Sequence, residues 1–269
     1  MKPRRIGTTL KSEALLRLTP KYSNILFVPS RSLCFFPIPK NANSYLKSLV
    51  LYNDKSGGPA FHPQQTTALA HLRSTQDRYK LDSWSRLRAN DVIKFAVLRN
   101  PYSRLVSCFV DKLVKPAIGL HGGGPVSFAA QSGIAELGSF QHFVETVCAQ
   151  PDYRRDRYVR SQAHYLNGFP AGSFSHLGAI ERLDVTLRFL AGLGFPDLPP
   201  DLHSGVVKRT AYNREVPPGA KPVADFSEAD FRTFGIPPRK QFADAALEAL
   251  VRRSFGTDYA LWQAAIESD

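Results

Sequence analysis

Residues 33–50 read LCFFPIPKNANSYLKSLV. Leu33, Cys34, Phe35, Phe36 and Ile38 form a short apolar run rich in aromatic residues, the pattern of a buried strand. Pro39-Lys40-Asn41-Ala42-Asn43-Ser44 then breaks the run with small and polar residues. Beyond it Leu46, Leu49 and Val50 share one face at helical spacing, while Lys47 points elsewhere. The order is strand, tight polar loop, helix. Residues 93–113, IKFAVLRNPYSRLVSCFVDKL, follow the same order. Ile93 to Leu98 is a second buried strand, and Asn100 and Pro101 are placed to cap and open a helix. Leu105, Val106, Phe109, Val110, Leu113 and Val114 make its apolar stripe. Ser103, Arg104, Ser107 and Asp111 fall on the other side, and Pro116 is expected to stop the helix. Strands that are each followed by a helix imply an α/β fold with a parallel sheet. Such sheets bind ligands beyond the carboxyl ends of their strands, where both polar loops lie.

The rest of the chain fits one domain over residues 1–269, with no repeat and no separating linker. Residues 1–23 are basic and weakly patterned, an arm or a short first helix. Ile25, Leu26, Phe27 and Val28 form another strand-like run. Residues 53–65 are rich in turn formers, and Thr66 to Leu81 is expected to be helical. The Gly-rich stretch 116–138 reads as a long loop able to act as a lid. Ser139 caps a helix running to about Gln150, His176 to Ile180 is a third strand, and Glu181 to Leu193 a helix. Residues 195–240 are proline-rich and read as irregular, ahead of an amphipathic helix from Gln241 to Ser254.

Among 269 residues, 35 Lys and Arg against 23 Asp and Glu leave a formal charge of +12, and 43% of residues are hydrophobic. This composition is globular rather than disordered. No apolar run nears the roughly 18 residues that a membrane helix needs. The basic start MKPRRIG leads into no apolar signal core. Three separated cysteines, Cys34, Cys108 and Cys148, exclude a disulfide scaffold and a Cys-rich zinc site, and they favour a reducing compartment. The charge favours polyanionic partners or a phosphate-rich cofactor, or serves only solubility.

The first polar loop puts small residues at a helix N-terminus, where free N–H groups and the helix dipole favour an anion. Lys40 adds a point charge, and Asn43 and Ser44 add donors. The G-x-x-x-x-G-K-[ST] spacing of a Walker A loop is missing. In the second loop, an Arg99 fork and the Ser107 hydroxyl two turns on can hold another phosphate. The plainer alternatives are a surface lysine, an Arg99–Asp111 ion pair and a solvated Ser107.

IPKNANSYLK followed by KFAVLRNPYSRLVSCFVDKL resembles the Golgi-type carbohydrate sulfotransferase superfamily. The match is closest to the branch with the chondroitin, dermatan and HNK-1 sulfotransferases and their bacterial relatives. The likeness is clear over about residues 33–50 and 93–113. It is fainter, but in the same order, at DRYVRSQAHYL (156–166), HLGAIERL (176–183) and FGTDYALW (255–262). It implies a three-layer, P-loop-like sulfotransferase fold and the donor 3′-phosphoadenosine 5′-phosphosulfate (PAPS). It places Lys40, Asn41, Ala42, Asn43, Ser44 and Tyr45 around the 5′-phosphosulfate, and Arg99 and Ser107 at the 3′-phosphate. The family's His-aromatic-Arg-Pro-Gln block is altered here. Tyr158 and Ser161 stand at the histidine and proline positions, while Arg160 and Gln162 are kept. Lys208, Arg209 and Thr210 are weaker candidates for donor contacts.

Sulfuryl transfer, like phosphoryl transfer, is catalysed by positioning and charge stabilisation. Lys40 would stabilise charge on the leaving phosphate, and no metal is implied. The acceptor hydroxyl needs a general base. His62, after the Gly57-Gly58-Pro59 turn, is the first choice, where the resemblance also places a histidine; His71 is the second. Glu181 could serve but suits a capping role at a helix start. Arg154, Arg155, Arg157 and Arg160 either hold an acidic acceptor or donor, or form a solvated face. The expected reaction moves a sulfuryl group to a hydroxyl of a glycan or small acceptor. A P-loop nucleotide kinase and a non-catalytic polyanion-binding module are the alternatives. No nucleic-acid module is recognisable. With no Golgi anchor in view, the expected location is cytoplasmic.

Overall fold

The computed structural model describes residues 25–54, 61, 62, 71, 79, 84–120, 138–200, 202 and 214–267. The expected arm (1–23), most of the expected helix 66–81, residues 121–137 of the Gly-rich stretch and Lys208 to Thr210 lie outside them.

Four strands form one sheet in the order β1-β2-β3-β4. β1 (Leu26–Val28) and β2 (Leu33–Phe36) are an antiparallel hairpin, with Val28 opposite Leu33. Its turn closes through Ser32, whose φ of +46° lies in the left-handed region. β3 (Ile93–Leu98) runs parallel to β2, pairing Phe35 with Phe95, and β4 (His176–Ala179) runs parallel to β3. The period-2 alternation of strands sends neighbouring side chains to opposite faces. Leu33, Phe35, Phe95 and Val97 pack with α1 (Asn43–Asn53) and α6 (Leu183–Gly192). Phe35 and Phe95 stack with centroids 4.5 Å apart. Cys34, Phe36, Ala96 and Leu98 face the other way, with Leu87 of α2 (Trp84–Arg88) and Ala265 of α9 (Gly256–Glu267). The result is the expected three-layer α/β arrangement, a mostly parallel sheet between helices. Among the described residues no helix is long and apolar enough to cross a membrane.

A third apolar core lies among α3 (Pro101–Phe109), α4 (Phe140–Ala149), α7 (Glu228–Phe234) and α8 (Ala245–Ser254). α5 (Gln162–Tyr165) is one turn long. Two caps follow the sequence reading: the Asn100 side chain accepts from Ser103 N–H and the Ser139 side chain from His142 N–H. Other boundaries differ. α3 passes through a π turn at Val110–Val114 and ends after Ala117, so Pro116 sits inside the last turn instead of stopping the helix before it. α7 lies in the stretch read as irregular, opened by a Ser227–Asp230 capping box. α8 starts at Ala245 rather than Gln241, because Asp244 accepts from Leu247 N–H as its cap.

Arg104 is the largest correction. Its spacing on α3 puts it among polar side chains, yet it is 2% exposed. Its Nε donates to Pro39 O at 3.0 Å and its Nη1 to Arg160 O at 2.8 Å, tying the first loop to the 156–166 stretch. Asp258 on α9 is 1% exposed and supplies negative charge nearby. Its carboxylate accepts from Gln162 N–H at 2.7 Å and Ala163 N–H at 3.0 Å, capping α5. Removing this carboxylate leaves the Gln162 and Ala163 N–H groups without their acceptor, at a cost of about 1–3 kcal/mol. Asp258→Ala should therefore lower the unfolding free energy by about that amount in a urea titration. A loss below about 1 kcal/mol would place the stability of this junction elsewhere.

Candidate functional site

The first loop leaves β2 and turns into α1 through two non-glycine residues in the left-handed region, Lys40 at φ +73° and Ala42 at φ +54°. Such residues cost roughly 1–2 kcal/mol each and persist where surrounding structure holds them. Four hydrogen bonds do so here. Arg99 Nη1 donates to Lys40 O at 2.8 Å, Arg104 Nε to Pro39 O, Asn41 N–H to Ile38 O at 3.2 Å, and Asn41 Nδ2 to Val97 O at 2.8 Å. α1 opens at Asn43 behind Ala42 with no side-chain cap. Its first N–H groups and the positive end of its dipole are the elements of an anion seat. Ser44 is exposed at this turn, and the Oδ1 of Asn43 is buried without a hydrogen-bond partner. Tyr45 brings only its backbone to the seat. Its ring lies in the core and its hydroxyl donates to Asp197.

Arg99 stands at the end of β3, 5% exposed. Its peptide group is clasped by the Gln162 amide: Oε1 accepts from Arg99 N–H at 3.0 Å and Nε2 donates to Arg99 O at 2.8 Å. Gln162 Oε1 also accepts from Asn41 Nδ2 at 2.6 Å. One buried amide therefore joins both polar loops. The Nε of Arg99 is buried without a partner, and no ion pair to this guanidinium occurs among the described residues. Burial pulls its pKa down, repulsion from Arg239 and Arg104 acts in the same direction, and Glu181 opposes. A guanidinium keeps its proton even so. A buried cation short of counter-charge, beside an uncapped helix end, suits an anionic ligand. Ser107 lies half-buried two turns along α3, on the same helix that Arg99 precedes.

Asp111 does not pair with Arg99. Its Oδ2 lies 2.9 Å from Lys40 Nζ, so the second motif supplies the counterion of the first. Burial pushes the Lys40 pKa down, and Asp111 pushes it back up. Burial would raise the Asp111 carboxyl, but Lys40, Lys112 and Lys115 together bring it to about 2.

The other candidates separate. His62 is exposed. Phe61 before it packs into the core that also holds α1. His71 is 6% exposed, with its ring centroid 5.2 Å from Phe61 and 6.3 Å from Tyr79, the surroundings of a core histidine. The Glu181 carboxylate accepts from Asn100 N–H at 3.1 Å and Trp262 Nε1 at 2.9 Å, bridging the end of β3 to α9. The four arginines of 154–160 do not form one face. Arg155 is buried, donating to Val147 O at 3.1 Å and to Ser254, and stacks at 4.1 Å on Phe255. Arg160 donates to Tyr153 O and Arg155 O at 3.0 Å each. Only Arg154 and Arg157 are exposed. Ser161, at the altered proline position, donates its hydroxyl to Asp152 at 3.0 Å. Among the described residues no group of three His, Cys, Asp or Glu side chains could hold a metal ion.

Sequence reasoning missed Arg104, Asp258 and Arg239, and it missed the roles of Gln162 and Asp111. Gln162 carried a signal, as a retained member of an altered block. Nothing in helical spacing marks a buried arginine, because period places a residue on a face without saying what covers that face.

Neither curated proteins nor solved structures gave a match. The family model described as the sulfotransferase family matches residues 23–184. That span holds both polar loops, the Gln162 clasp and all four strands. The chain belongs to the sulfotransferase family, and its mixed α/β fold serves sulfuryl transfer.

Proposed function

We propose that this protein is a PAPS-dependent O-sulfotransferase of the carbohydrate-type branch, acting on a hydroxyl of a glycan or other small acceptor. The observation that carries this reading is the junction of two anion seats. Arg99, whose Nε is buried and unpartnered, donates to the carbonyl of Lys40, and Gln162 holds the loops of both residues. A donor with a phosphate at each end of one nucleotide needs two cationic seats at a fixed separation. The left-handed turn 40–42 with the start of α1 would take the 5′-phosphosulfate. Arg99 and Ser107 would take the 3′-phosphate. The donor supplies an activated sulfuryl group. Lys40 would lie where charge grows on the leaving phosphate, and α1 N–H groups would share that load. His62 is the candidate base for the acceptor hydroxyl, and its exposure leaves it reachable by an acceptor.

The direct test is a thermal-shift titration with the desulfated donor, 3′-phosphoadenosine 5′-phosphate, followed by labelled sulfate transfer to a panel of glycans. Saturable stabilisation that survives high salt is expected. Binding that is only salt-sensitive, and indifferent to the nucleotide, would mark a polyanion-binding module. Lys40→Ala should lower kcat by roughly 10²–10³-fold, the range for loss of one charge-stabilising donor. Arg99→Ala should raise the donor KM by about 10–100-fold, from losing about 1.5–3 kcal/mol of charged hydrogen bonding. His62→Ala should cut kcat by about 10²–10⁴-fold with donor affinity unchanged. An unaltered kcat would remove His62 from the reaction.

A further inference from the structure

Asp111 lies one turn beyond Ser107, yet its carboxylate reaches the lysine of the other loop, Oδ2 to Nζ 2.9 Å. Regular α geometry does not continue to that point. Val110–Val114 is a π turn, in which Lys115 N–H donates to Val110 O, five residues back. The wider turn re-aims its side chains, and such turns occur mostly as single insertions inside α-helices, frequently at functional sites. The surroundings of the pair are cationic. Lys112 Nζ is 3.6 Å from the same Oδ2, and Lys115 Nζ is 3.9 Å from Oδ1. The Cys108 thiol also faces Lys40, with burial holding its pKa up at about 12 and the thiol therefore neutral. Arg99 donates to the Lys40 carbonyl from the other side. Asp111 is thus the one anionic group facing the Lys40 ammonium among the described residues.

We infer that Asp111 is a positioning residue for sulfuryl transfer, holding the Lys40 ammonium charged and aimed beside the start of α1. This rests on the reading of the site as a PAPS-dependent transferase. The physical need is clear from the loop. Burial of Lys40 favours loss of its proton, and Lys112 repels the charge as well. A neutral amine cannot offset charge on a leaving phosphate. The carboxylate counters both effects without touching the reacting atoms. It also ties the π turn to the strained backbone at Lys40.

The test compares wild type with Asp111→Asn, which keeps the shape and removes the charge. kcat/KM for PAPS is measured across neutral to alkaline pH. In parallel, Lys40 is titrated by NMR in protein labelled at lysine, its signal assigned by its loss in Lys40→Arg. Activity that needs the ammonium is lost as pH rises through the lysine pKa. Removing Asp111 should move that alkaline limb, and the Lys40 titration, down by about one pH unit or more, a tenfold loss of rate on the limb. Asp111→Glu, which keeps the charge, should retain the wild-type limb, and it serves if the asparagine variant does not fold. Profiles and titrations that superimpose on wild type would overturn the inference and leave a merely structural ion pair. If wild type transfers no sulfate from PAPS, the transferase reading fails. The Lys40 titration then decides alone whether Asp111 holds the charge.

Discussion

The site depends on one buried side-chain amide. Gln162 uses both lone pairs of its oxygen, for Arg99 N–H and Asn41 Nδ2, and donates from its nitrogen to Arg99 O. Its own backbone N–H rests on Asp258. These bonds join the loop after β2, the end of β3, the block before β4 and the C-terminal helix. Each is worth about 1 kcal/mol net, but leaving any of those buried groups unmade costs about 1–3 kcal/mol. The network therefore favours one geometry strongly over its neighbours. The loop that opens α1 and the end of β3 inherit their separation from it.

Three cations around this hub, two buried arginines and a half-buried lysine, meet the cost of leaving water in different ways. Arg104 spends its guanidinium on two carbonyls, with Asp258 nearby. Lys40 has a carboxylate at 2.9 Å. Arg99 has a single carbonyl, the opposing field of Glu181 and an unpartnered Nε. Each arginine keeps one buried nitrogen without a partner, Nη2 in Arg104 and Nε in Arg99, and they differ in how many carbonyls the guanidinium reaches, two for Arg104 and one for Arg99. Charge that is already placed and already dehydrated leaves little reorganisation for an anion that approaches it. The +12 of the chain is consequently not one field. Arg155 and Arg160 are inward-facing struts, and Arg154 and Arg157 are solvated.

The strand–loop–helix order was legible because both strands are short apolar runs and both helices carry a periodic stripe. Asn100 and Pro101 opened α3 as their local chemistry requires. The polar loop before α1 was legible for the same reason, since its small and polar residues mark it locally. Arg104 was misread as a polar-face residue because the cover over that face comes from residues 39 and 160, far along the chain. Asp111, considered only as an alternative partner for Arg99, meets Lys40 instead, and the π turn in which it sits leaves no mark in the apolar stripe. α7 was passed over among prolines, although its Ser227–Asp230 box is a local signal.

Sequence alone determined the α/β order of elements and the presence of two cationic polar loops at strand ends. Those are properties of local period and turn chemistry, which act within a few residues. Tertiary structure alone decided which cation meets which acceptor. Lys40 meets Asp111 across 71 positions, and Arg99 meets the Lys40 carbonyl across 59. Coulomb and hydrogen-bond energies depend on distance in space and on burial, and neither quantity exists until the sheet has brought the two loops together.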